Sequence, residues 1–127
     1  MERNRPHFFK IRLELAREAA HPWGDAHTGY EFVAPLDGDG YIRADLWSQN
    51  TRDCVMRAFS PERPDRRGRL ARTAQGEWYF DYDDTKASDD EMGYRFGAEQ
   101  FVGGEYVSIA DDGGKMHTYR VTGVEKP

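Results

Sequence analysis

The chain holds one cysteine, Cys54, in 127 residues, which excludes an internal disulfide and fits a reducing compartment. It has no apolar run of membrane-spanning length. Its opening, MERNRPHFFKIRLELA, lacks the continuous apolar stretch of a secretory signal, so the cytoplasm is the expected location. Basic residues are outnumbered by acidic ones, 18 to 23, and the resulting net charge of −5 argues against general nucleic-acid binding and against a polybasic membrane contact. There is no Gly-x-Ser-x-Gly elbow, no phosphate-binding loop and no dinucleotide fingerprint. The sequence therefore predicts no catalytic residue and no cofactor, and leans away from an enzyme.

What the chain does have is alternation. Phe9, Ile11, Leu13 and Leu15 alternate with Lys10, Arg12 and Glu14, which is the period of a half-buried strand. Tyr30, Phe32 and Ala34 alternate with Glu31 and Val33 until Pro35 ends the run. Cys54 to Phe59 reads as another strand, with Cys54 a small buried residue rather than a nucleophile. Trp78, Phe80 and Tyr82 alternate with Glu77, Tyr79 and Asp81 after a turn at Gln75-Gly76. Arg69 is expected opposite Tyr82. Residues 43–51 form a short helix with Leu46 and Trp47 turned inward, residues 60–68 a polar loop, and residues 94–96 a short strand. The acidic run 83–91 reads as an exposed, mobile loop.

The last quarter organises the rest. Asp112-Gly113 between two apolar runs is a hairpin signal, because both residues tolerate the positive φ of a tight turn. Centring the turn there sets Ile109 opposite Met116, Val107 opposite Thr118 and Tyr106 opposite Tyr119. Val107, Ile109 and Met116 then face inward, leaving Tyr106, His117 and Tyr119 on the other face. Strands at this spacing predict an all-β fold in one domain over residues 1–127, a small antiparallel barrel of about seven or eight strands with one short helix. An α+β arrangement, with a helix on a curled sheet, is the alternative.

The patterns GYRFG (93–97), FVGGEYVSI (101–109) and HTYRV (117–121), together with GYEFVAPLDGDG (29–40), resemble the ends and middles of short uncharacterised bacterial proteins. The resemblance implies a bacterial origin and a β fold; it carries no activity, ligand or functional residue.

Candidate chemistry is sparse. Tyr106, His117 and Tyr119 would make an amphipathic contact patch if exposed together. Arg66 and Arg67 lie in the one dense basic stretch, and guanidinium forks suit phosphate and carboxylate. His21, Asp25 and His27 are possible metal ligands, set against plain loop chemistry around His21-Pro22. Asp37-Gly-Asp-Gly40 echoes a calcium loop but lacks its first acid and its final glutamate. The leading expectation is a non-enzymatic binding or interaction module for a protein or small-ligand partner. The alternatives are a barrel holding a ligand among Trp78, Phe80, Tyr82 and Phe32, and a metal- or histidine-dependent enzyme.

Overall fold

Strand β1 (Phe8–Leu15) shows how the alternation becomes architecture. Ile11, Leu13 and Leu15 are buried while Lys10, Arg12 and Glu14 face outward. Both edges of β1 are hydrogen-bonded, one to β2 (Asp25–Pro35) and the other to β8 (Met116–Glu125), and both pairings are antiparallel. A strand paired on both edges with one greasy face curls the sheet round that face.

In this computed structural model residues 7–83, 91–93 (backbone), 99–111 and 113–127 are described. After β2 come a short helix α1 (Ala44–Ser48), a 3-10 turn (Thr51–Asp53), β3 (Val55–Ser60), β4 (Arg63–Arg72) and β5 (Trp78–Tyr82). Then follow β6 (Glu91–Gly93), β7 (Tyr106–Ala110) and β8. The strands neighbour one another in chain order, so the fold is an up-and-down antiparallel barrel, mostly β with one short helix. Seven strands make a continuous curled wall. The three-residue β6 spans the remaining gap, pairing with β5 along its length and with β7 at Met92↔Ala110. The α+β alternative is set aside by this topology. Among the described residues no helix is long and apolar enough to cross a membrane.

The interior is filled by rings. Tyr30 and Phe80 have centroids 5.1 Å apart, Tyr30 and Tyr119 5.2 Å, Phe32 and Phe80 5.4 Å, and Phe32 and Phe101 5.6 Å. Each such side chain contributes roughly 1.5–3 kcal/mol by leaving water. Trp78, Phe80, Tyr82 and Phe32 are all buried in this cluster, as their alternation predicts, and Cys54 is buried with them. They pack on one another, so the interior that a ligand among them would need is occupied by the side chains themselves.

Alternate turns of an up-and-down barrel lie at the same end. One end is covered by the β2–β3 connection. Leu46 and Trp47 of α1 pack against the core, the Trp47 indole N–H donates to Leu70 O (2.9 Å), and Trp47 meets Trp78 edge-on at 5.1 Å. The Asp37–Gly40 stretch there is a turn in which Asp37 Oδ1 accepts the N–H groups of Asp39 and Tyr41. The other end, where β1 meets β2, β3 meets β4 and β7 meets β8, is the polar mouth described below.

Three expectations are corrected. The final hairpin pairs Val107 with Tyr119, Ile109 with His117 and Tyr106 with Arg120, one residue away from the register centred on Asp112-Gly113. Gly114, not Gly113, carries the positive φ (86°), and Asp111 Oδ1 accepts the N–H groups of Gly113 and Lys115. The slip reverses β8: Tyr119 and Val121 enter the core and Met116 is 43% exposed, while Val107 and Ile109 face inward as expected. Second, residues 63–68 belong to β4, with a break in pairing between Ala58 and Ser60 that lets Pro64 sit without donating to the ladder. Third, Arg69 pairs with Asp81, and Gly68 is the residue opposite Tyr82. The expected strand at 94–96 and most of the acidic loop, 84–90, lie outside the described residues.

Candidate functional site

Parity along β8 places His117 on the inward side, one step above Tyr119, at the mouth of the barrel. There it sits between two acids. Its Nε2 donates to Asp111 Oδ2 at 3.1 Å and its Nδ1 to Glu18 Oε1 at 3.2 Å. A ring flanked by a carboxylate on each side donates from both nitrogens, which is the imidazolium state. Burial disfavours that charge, but the hydrogen bonds to Asp111 and Glu18 outweigh it, and the His117 pKa is raised. The same bond, helped by the Lys115 N–H, lowers the pKa of Asp111.

Glu18 is positioned by a two-residue clasp, since the backbones of Glu18 and His21 exchange hydrogen bonds of 2.9 and 3.0 Å. His21 Nδ1 lies 3.6 Å from Glu18 Oε2, too far for a hydrogen bond, and is buried without a hydrogen-bond partner. Across the barrel, β4 contributes Arg66, whose Cζ lies 3.7 Å from the centroid of the Tyr82 ring, a cation–π contact. The cavity between these walls has a volume of about 310 Å³. Leu15, Tyr30 and Tyr119 form its apolar and aromatic lining, with Thr28, Ser60, Glu62, Arg63 and Arg66 among its polar residues. Charge is laid out by topology: β4 lies diametrically opposite β8 in an eight-strand ring, so guanidiniums face the carboxylate–imidazolium cluster.

The residues singled out from sequence divide between places. His117, Tyr119 and Arg66 line this one cavity. Tyr119 is only 6% exposed and Tyr106 is 58% exposed on the opposite face, so the amphipathic patch of Tyr106, His117 and Tyr119 does not exist as one surface. Tyr106 borders a separate hollow of about 540 Å³ beside Trp23 and Arg120. Arg67 points to the outer wall, where Lys10, Val33, Val55 and Arg69 border a hollow of about 350 Å³. Of the suggested metal ligands, His21 lines the mouth, while Asp25 spends both oxygens locally, accepting the Thr28 hydroxyl (2.6 Å) and the His27 N–H (2.9 Å). These bonds, the Thr28 hydroxyl first, lower the Asp25 pKa. His27 is exposed. Among the described residues no group of three His, Cys, Asp or Glu side chains is disposed to hold a metal.

Arg63, from the same basic stretch as Arg66, lines the cavity too, whereas Glu18 and Asp111 escaped sequence reasoning as site residues. Each of these two acids sits in a connection, and only the register of β8 reveals that they meet His117. Comparison of the chain with protein-family models, curated proteins and solved structures found no match.

Proposed function

We propose that this protein is a non-enzymatic binding module that takes a small organic molecule at the open mouth of its barrel. The observation that carries the reading is the convergence there of His117, Glu18, His21 and Arg66 on a cavity of about 310 Å³ with Tyr30 and Tyr119 in its lining. Ligand sites are commonly concave, partly aromatic and dressed with a few converging polar groups. The opposite end is covered by α1, and the interior is occupied by its own rings, so the mouth is the place where a ligand finds both shape and polarity. A catalytic role has less support. A histidine that serves as a general base keeps one nitrogen free to accept a proton, and His117 has both engaged by acids.

The test is amide NMR of the labelled protein against a fragment set of acids, bases and neutral compounds. Binders are expected to move Thr28, Ser60 and His117 and to leave the Trp47 and Trp78 indole signals at the closed end unmoved. Binders that instead cluster at Tyr106 or along the outer strands would place the function elsewhere.

A further inference from the structure

We infer that the ligand of the mouth carries an oxyanion, a carboxylate or a phosphate ester, which seats on Arg66 with Arg63 beside it. This rests on the reading of the mouth as the binding site and adds the chemistry it selects. Arg12, Arg43, Arg57 and Arg69 each lie within 4.0 Å of a carboxylate oxygen. Arg66 and Arg63 have no such partner among the described residues, and both border the cavity. Arg66 is half-buried, and its position over Tyr82 holds the guanidinium in place. A guanidinium offers a planar fork of N–H donors that matches the two oxygens of a carboxylate or phosphate, and a fork already held by a ring loses little freedom on binding.

Two of the three acids that line the mouth are held away from that fork. Glu18 and Asp111 are bound to His117 on the far wall, which leaves Glu62 as the remaining acid of the cavity. With His117 protonated, the six charged groups Glu18, Glu62, Asp111, Arg63, Arg66 and His117 sum to zero, but both guanidiniums lie together on β4, with one acid, Glu62, on their side and two on the other. An anion is drawn to that side. The aromatic lining from Tyr30 and Tyr119 gives the rest of a flat molecule a surface to rest on.

Three probes of one shape test this: benzoate, phenyl phosphate and neutral benzamide, titrated by NMR near pH 6. The two anions are expected to shift the mouth signals at least about tenfold more tightly than benzamide, as charge-assisted hydrogen bonds require. Their ratio tells a carboxylate site from a phosphate site. Arg66→Gln is expected to bring the anions down to the affinity of benzamide, and Arg66→Lys, which keeps charge without the fork, to fall between. Arg67→Gln, on the outer wall, is expected to bind as the parent does. Circular dichroism and a melting curve confirm that each variant is folded. Benzoate binding that survives Arg66→Gln, or benzamide binding as tightly as benzoate, overturns the oxyanion inference while leaving the mouth as a site. If none of the three probes, and no compound of the wider fragment set, moves a mouth signal, the mouth reading falls as well.

Discussion

His117 and Glu18 lie 99 positions apart in the chain and 3.2 Å apart in the fold. Their contact ties the last strand to the connection between the first two, and Asp111 on the other side of the ring extends the tie to the β7–β8 turn.

This cluster gives stability a pH signature. The raised pKa of His117 means that its contribution is complete below the ordinary value of 6.5 and is lost as pH rises through the folded value. The lowered pKa of Asp111 works the other way: its contribution is present above 3.8 and is lost as pH falls through the folded value. His117→Gln is expected to cost about 1–2 kcal/mol near pH 5.5, and less at alkaline pH, as the pH rises through the raised value of the parent ring. Urea unfolding at both pH values checks this. Equal losses at the two would show that the imidazolium charge is not what the acids hold.

Glu31 holds the outer wall of β1, β2 and β3 together. It accepts from Arg12 Nη1 at 3.0 Å and from Arg57 Nη2 at 2.6 Å, and Arg57 reaches on to Asp65 at 2.8 Å. Both guanidiniums lie over the Phe59 ring, at 4.4 and 5.1 Å. Burial pulls the Glu31 pKa up, but the hydrogen bonds from Arg57 and Arg12 win and the net shift is downward. Glu31→Gln is expected to cost about 1–3 kcal/mol at neutral pH, because it leaves two half-buried cations short of a charge. The deficit is expected to shrink as the pH falls through the depressed pKa of the parent. A double-mutant cycle with Arg57→Gln measures the coupling.

Two tyrosines separate the observed register from the one centred on Asp112-Gly113. Tyr119 packs edge-on against Tyr30, whereas Tyr106 stands in solvent. Tyr119→Ala is expected to lose about 3 kcal/mol or more in denaturant unfolding, and Tyr106→Ala no more than about 0.5 kcal/mol. Similar losses for both would restore the alternative register.

Two glycines are fixed by close approach of neighbouring backbone. A Cβ on Gly29 would stand 1.9 Å from Leu13 O, and one on Gly68 would stand 2.1 Å from Asp81 O. Alanine at either position is expected to cost about 3 kcal/mol by forcing paired strands apart. Gly113→Ala, whose Cβ would stand in ordinary contact with the Asp111 carboxylate at 3.5 Å, serves as the control in the same melting experiment.

Much of the wall was legible because one face of each strand is plainly apolar. Ile11, Leu13, Tyr30, Phe32, Trp78 and Phe80 all lie where alternation puts them. The final hairpin was not legible, because both of its faces carry large side chains. Pairing Tyr106 with Tyr119 looks as sensible as pairing Val107 with Tyr119. The deciding group was the Asp111 side chain, which organises a longer turn with Gly114 in the left-handed region. Since the site depends on which face His117 occupies, the same ambiguity concealed the mouth. Arg66 drew notice in the sequence for its guanidinium, but its seat over Tyr82 was not legible, because the prolines and charges of 60–68 look like a loop and hide the strand that orients it.

The placement of the tryptophans turns the two ends of the barrel into separate optical channels. Trp23 is 88% exposed on the β1–β2 connection, while Trp47 and Trp78 are in contact at the covered end. Indole emission from Trp23 is expected to be red-shifted by water and open to external quenchers such as iodide, and that from the packed pair to be more shielded. A Trp23→Phe variant leaves a chain whose fluorescence follows the covered end alone, and the difference from the parent follows the rim.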